Sequence, residues 1–193
     1  PQTGSTGDGY AFARKLGHTV VPPKASLIPL ECGGDDLEDC ASMQGLGLKN
    51  VGVKLLRGGK EIENDFGELL FTHFGLSGPT VLSLSAHIND AQSVEYTISV
   101  DLKPALDEQK LNTRLQRDFD KYSNRELSNS LGDVLPSSMI PVVLRRFGDY
   151  EGLRSNSITR EQRQILVDIL KNLTFKIKAL RPINEAIITR GGI

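Results

Sequence analysis

Leu48–Thr72 reads LKNVGVKLLRGGKEIENDFGELLFT, and the class of the fold turns on this stretch. Val51, Val53 and Leu55 alternate with Asn50, Gly52 and Lys54, the period of two that gives a strand one buried and one solvated face. Gly58 and Gly59 follow, a pair that takes positive φ freely and so suits a tight hairpin turn. Two strands joined so closely must be antiparallel.

Working outward, HTVVPPKASLIPLE (His18–Glu31) carries prolines inside β-prone sequence. Proline has no N–H to give to a ladder, so an extended, edge-type strand is expected. Asp8 is expected to cap a short helix that stops at Gly17. In SVEYTISVDLKP (Ser93–Pro104), Val94, Tyr96, Ile98 and Val100 share one strand face. At Asp107 the period becomes helical, with Leu111, Leu115, Phe119 and Tyr122 in one stripe. Further helices are expected from a Ser123/Glu126 capping box, from Ser138 with Pro141 in the first turn and Gly148 at the end, and from a Thr159/Gln162 capping box. Ile165, Leu166, Ile169, Leu170 and Leu173 form the last helical face, and TFKIKAL and EAIIT return to strand character.

Segregated runs of strands and helices indicate an α+β fold. The simplest assembly is a small antiparallel β-barrel, residues 22–106 and 174–190, whose last strand follows an inserted helical lobe at 107–173. The lobe is expected to be separable from the barrel. Residues 1–21 and 191–193 flank it, and both ends read as mid-chain sequence, so the chain is expected to be a piece of a larger protein.

The composition is that of a soluble globular protein: 193 residues, 38% hydrophobic, 24% charged, formal net charge −1. Such a balance gives no general pull toward nucleic acid or an anionic membrane. No apolar run approaches a membrane span, and the opening PQTGSTGDGY has no signal-peptide character. Cys32 and Cys40 flank the acidic stretch CGGDDLEDC. Without a CxxC pair or a nearby histidine they read as two free thiols of a cytoplasmic protein, and the acids between them as a solvated loop. The lobe carries Arg114, Arg117, Lys121, Arg125, Arg145, Arg146, Arg160 and Arg163, interleaved with Asp118, Asp120, Glu126, Asp149 and Glu161. Mixed charges on solvated helix faces account for this better than a nucleic-acid surface.

FTHFGLSGP (Phe71–Pro79) is the candidate site. An apolar strand reaches His73, and the order Ser77-Gly78-Pro79 suits a helix start with Ser77 as its cap. Free N–H groups there suit an anion or a polarised carbonyl. The simpler account is structural: Ser77 caps its own helix and His73 packs in the fold. The glycines of TGSTGDGY either let the backbone approach a cofactor or simply make turns.

Together TGSTGDGYAFARKLGHTVV (Thr3–Val21), SLIPLE (Ser26–Glu31), GELLFTHFGLSGPTVLSLS (Gly67–Ser85) and EAIITRGGI (Glu185–Ile193) resemble the bacterial FAD-dependent, NAD(P)H-utilising flavoproteins of the aminoacetone-oxidase-like and 3-dehydro-bile-acid-reductase-like kind. The resemblance implies a glutathione-reductase-like FAD domain interrupted by an inserted barrel with a further helical insertion. Residues 1–21 would then be a remnant of the FAD domain, and 191–193 the return to it. Thr3, Gly4, Gly7 and Asp8 would lie on the flavin side, Gly191 and Gly192 would pass close to the flavin, and His73 and Ser77 would face the cleft as catalytic groups. The parent would pass hydride from NAD(P)H through FAD to a small unsaturated or carbonyl-bearing molecule. The rest of the flavin domain would be the partner of this part, which by itself is expected to lack FAD. A binding or docking module, or a nucleic-acid-binding lobe, is the alternative.

Overall fold

The computed structural model describes residues 6–89, 91, 93–148 and 150–193. In chain order it contains α1 (Asp8–Lys15), β1 (Val21–Ser26), β2 (Leu30–Cys32), α2 (Asp35–Ser42), β3 (Gly47–Arg57), β4 (Lys60–Thr72), β5 (Gly75–Ser77), α3 (Pro79–Ser85) and β6 (Tyr96–Asp101). Then follow α4 (Glu108–Lys121), α5 (Leu127–Ser130), α6 (Ile140–Phe147), α7 (Arg160–Lys171), β7 (Leu173–Leu180) and β8 (Ile188–Gly192). The α+β class and the barrel are as expected.

β3 and β4 form the hairpin, Arg57 opposite Lys60, with Gly58 and Gly59 at φ 55° and 80°. Positive φ at both positions gives the turn whose twist matches the strands. Six antiparallel strands close in the order β2-β5-β4-β3-β6-β7, with β7 pairing β2. Closure leaves the sheet no free edge. Val51, Val53, Leu55, Ile98, Val100, Phe175 and Leu76 are fully or almost fully buried. Phe71 and Phe175 stand on strands that are not neighbours, yet their rings meet edge-on at 5.5 Å, so they touch across the interior.

β1 and β8 stay outside the barrel as a separate antiparallel ribbon, Ser26 opposite Ile188 and Val21 opposite Gly192. Pro22 and Pro23 fall where its register slips, as residues without a ladder donor should. The prolines therefore mark a ribbon strand rather than a barrel stave.

The helices show where pattern reading holds. The Thr159/Gln162 capping box is complete, Asp107 accepts the Lys110 N–H, and Gly148 ends α6. Other expectations need correction. Ser123 caps nothing: Glu126 occupies the N-cap of α5, and the Ser123 carbonyl accepts the Asn156 N–H. α6 starts at Ile140, not Ser138, because the buried Met139 takes the N-cap position. Asp8 is the first residue of α1 rather than its cap, which is Gly7. In α7 the buried stripe is Leu166, Val167 and Leu170, which turns Ile165 out to 46% exposure. The acidic stretch is not a loop: Asp35–Ser42 is a helix, α2, that buries Asp39 and Cys40.

The lobe shares its apolar core with the barrel. One hydrophobic cluster runs without a break from Leu30 and Phe71 of the barrel through Leu111, Leu144 and Leu170 of the helices. Polar contacts reinforce the seam. Arg146 donates to Asp36, Asp39 and the Thr174 carbonyl and lies over the Phe175 ring, while Arg145 pairs with Asp39. Lys171 pairs with Asp101 and donates to the Lys103 and Leu106 carbonyls. The lobe supplies part of the barrel's own apolar cover, which argues against the expected separability.

Candidate functional site

FTHFGLSGP is a hairpin followed by a helix. β4 ends at Thr72, His73 and Phe74 make the turn, and β5 returns with Gly75 opposite Thr72. The Thr72 hydroxyl donates to the Gly75 carbonyl at 2.9 Å. Ser77 is the last residue of β5, so its expected capping role falls to Gly78, at φ 97° and with no side-chain bond; Pro79 opens α3 as expected. The glycines are demanded by crowding. A Cβ on Gly75 would sit 2.3 Å from the Leu30 carbonyl, and one on Gly78 would meet the Leu70 nitrogen at 2.9 Å. Much of the motif's specificity is therefore the cost of passing three backbone segments through one place.

His73 and Ser77 are not brought together. His73 is exposed at the turn, edge-on to Phe74 with centroids 5.1 Å apart, whereas Ser77 is half-buried at the other end of β5. Pairing of Leu30 with Leu76 and Glu31 with Gly75 runs β2 away from the ribbon toward the His73 turn. The register thus carries His73 to the far end of β2 and leaves Ser77 on the ribbon side.

The glycine clusters of the two flanks do converge. Gly7 sits in left-handed geometry at the start of α1, and a Cβ there would touch the Tyr10 ring at 3.7 Å. A Cβ on Gly192 would touch the same ring at 3.6 Å. Tyr10 thereby ties the helix start, with Gly7 and Asp8, to the end of β8. Gly191, at φ 93°, passes so near β1 that a Cβ would lie 2.8 Å from the Pro22 carbonyl. α1 ends as the sequence suggests: Gly17 donates to Arg14 and His18 to Ala13, a paired closure around a left-handed glycine. Thr3 and Gly4 lie outside the described residues.

Beside the ribbon is a hollow of about 310 Å³ lined by Val21, Pro22, Lys24, Asn89, Arg190 and Gly191. Arg190 donates to the Asn89 side chain at 2.7 Å and to the Ile88 carbonyl at 3.1 Å, which fixes the segment after α3 against β8. The sequence reading missed Tyr10, Lys24 and Arg190; the only signal was that Tyr10 and Arg190 stand inside the quoted blocks. A hollow of this size is at the lower end for a small ligand. The near-contacts of Gly191 and Gly192 are to the chain's own ribbon and to Tyr10, which account for both glycines within this chain.

Elsewhere the reactive side chains are quiet. Cys32 and Cys40 are buried free thiols with sulfurs 3.7 Å apart. The bond to Cys32, and then burial, push the Cys40 thiol far above its ordinary value, so it is held in the inert protonated form. Among the described residues no group of His, Cys, Asp and Glu could hold a metal ion, and no helix is long and apolar enough to cross a membrane.

Comparison with known proteins places this geometry. The chain is 28% identical over 193 residues to the ribosomal RNA dihydrouridine synthase of Escherichia coli (strain K12), covering 100% of this chain and 45% of that protein. The synthase of the same name from Haemophilus influenzae is 28% identical over 194 residues, with the same coverage. The 3-dehydro-bile acid delta(4,6)-reductase of Clostridium scindens is 24% identical over 192 residues, 98% of this chain and 46% of that protein. The chain thus spans less than half the length of these relatives. The resemblance anticipated the bile acid reductase but not the two RNA enzymes. Residues 24–188 match the family described as HI0933-like protein barrel and H2TH domain, and the chain belongs to that family.

Proposed function

We propose that this chain is the barrel-and-helix part of a cytoplasmic flavin-dependent reductase, and that its α1 and ribbon pack against the flavin-binding body. The observation that carries this reading is the convergence of Gly7, Tyr10, Gly191 and Gly192 in a flank rich in exposed apolar side chains. Phe12, Leu16, Val21, Ile187, Ile188 and Ile193 are all exposed there, more than a finished surface usually gathers in one region. Bound FAD would accept hydride from NAD(P)H and supply it to the acceptor. This chain's share is to present the glycine edge with Lys24 and Arg190 beside it, and to cover the acceptor.

The acceptor is an activated carbon–carbon double bond. The names of the relatives support this: a dihydrouridine is a uridine saturated at one double bond, and a delta(4,6)-reductase is named for the unsaturation it removes. A small unsaturated or carbonyl molecule is the acceptor the sequence suggests; a uridine within RNA is the other choice.

Two preparations test the reading. The full-length protein is expected to purify yellow and to bleach when NAD(P)H is added anaerobically, whereas the 193-residue chain is expected to be folded and colourless. A full-length protein without flavin would sink the proposal, and stoichiometric flavin on the isolated chain would refute the division of labour.

A further inference from the structure

Two hollows meet at Leu106 on the face where β3, β4 and the start of α4 come together. One, of about 630 Å³, is lined by Lys49, Asn50, Phe66 and Leu102–Leu106; the other, of about 570 Å³, continues along Lys110, Thr113, Arg114 and Arg117. The joined groove carries five cations, Lys49, Lys103, Lys110, Arg114 and Arg117. Among the described residues only two carboxylates pair with them: Asp107 with Lys110, and Asp118 with Arg114 and Arg117. Neither Lys49 nor Lys103 makes an ion pair among the described residues.

The groove is also built. Leu48 pairs with Leu69 and Val51 with Gly67, so Lys49 and Asn50 bulge outward, Asn50 at φ 55°. Bulges of this kind re-aim side chains, and asparagine is among the residues that accept the left-handed geometry this one requires. On the other wall, Lys171 clamps the 101–106 segment through Asp101 and the Lys103 and Leu106 carbonyls. Lys103 is thereby held half-buried beside Arg114. Burial first, and the Arg114 charge second, push its ammonium below the usual lysine value. Phe66 stands 61% exposed in the same groove.

We propose that this groove docks a single-stranded segment of RNA, its phosphates on the cations and a base stacked on Phe66. The choice of RNA over a steroid rests on the reductase reading above and on charge. A steroid carboxylate needs one or two cations, whereas Lys110, Arg114 and Arg117 alone extend over about 10 Å of helix and Lys103 and Lys49 continue the row. An exposed aromatic among cations suits unpaired bases, which duplex RNA does not offer.

The test is fluorescence anisotropy of the 193-residue chain with a labelled oligouridine of about ten nucleotides, a length within the reach of such sites. Lys49→Glu with Arg117→Glu, both exposed and outside the core, is expected to weaken binding at least about tenfold. It should also lower the slope of log affinity against log salt by about 1.4, roughly 0.7 for each phosphate contact removed. Phe66→Ala is expected to weaken binding by about tenfold. Lys60→Glu with Lys176→Glu makes the same change of charge elsewhere and is expected to stay within about twofold of the parent chain. Equal losses from the two charge pairs, no binding by the unaltered chain at low salt, or cholate binding that depends on these residues while RNA binding does not, would each overturn the proposal. Since the assay needs no flavin, its failure leaves the reductase reading standing, and a flavin-free full-length protein would leave the binding result standing.

Discussion

The seam between the helices and the barrel and the flank made by α1 and the ribbon are opposites. At the seam Leu144, Leu166, Leu170 and Phe175 are buried, and the charges that enter it are paired: Arg146 with Asp36 and Asp39, Lys171 with Asp101. In the flank Leu16 is 77% exposed and Ile188 50%, and among the described residues β1 and β8 pair with no strand but each other. A two-stranded ribbon is marginal by itself. The first surface is closed by this chain itself, and the second leaves apolar side chains exposed, as the proposed packing against a flavin-binding body would need. What reads as an inserted lobe thus shares the barrel's core, and what reads as a strand of the barrel stands outside it as a ribbon.

Several substitutions would break or sharpen that contrast. The largest effect is expected from Arg145→Ala with Arg146→Ala, which together leave Asp39 buried without a guanidinium. Losses from such a removal run to about 3–5 kcal/mol, to be read from urea unfolding, and a change below about 1 kcal/mol would mean that the seam is held by apolar contact alone. Replacing 107–173 by a Gly/Ser linker is expected to abolish the β-type circular dichroism altogether, for the same reason.

Leu166→Ala should cost about 2–4 kcal/mol, as a fully buried leucine does, and Ile169→Ala less because Ile169 is only partly covered. Ile165→Ala, on the exposed side of the same helix, should stay within about 0.5 kcal/mol. Similar values for all three would erase the assigned face.

In the flank, Phe12→Ser with Ile188→Ser should leave the melting temperature of the 193-residue chain nearly unchanged, since neither side chain is covered. The same pair in the full-length protein should lower its flavin content and its stability. A chain destabilised as much as the full-length protein would mean that the flank packs on itself.

The smallest effect is expected at His73. Its place at an exposed turn predicts that His73→Ala changes stability by less than about 0.5 kcal/mol. Facing the cleft, as the family resemblance implies, it would instead govern turnover, and a tenfold loss corresponds to about 1.4 kcal/mol of barrier. Steady-state NAD(P)H oxidation by the full-length variant decides the matter, and the turn position argues for a loss of less than about twofold.

Local periodicity was enough for the β3–β4 hairpin, for the buried face of β6 and for the capping box of α7, because each depends on residues within a few positions of one another. The α+β class followed from those pieces. Other features depended on distant partners. CGGDDLEDC resembles a solvated loop until Arg145 and Arg146, over a hundred residues later, arrive to pair with its acids and let a helix form around a buried Asp39. Gly75 looks like an ordinary turn residue until Leu30 and Cys32 are laid against it. The charges of the helical lobe average to near neutrality along the chain, yet folding sends two of its arginines to the barrel seam and leaves a row of others at the groove. Charge balance is a property of the sequence, but where an unanswered charge faces is decided only when distant segments choose their partners, since a carboxylate neutralises what lies within a few ångströms of it and little beyond.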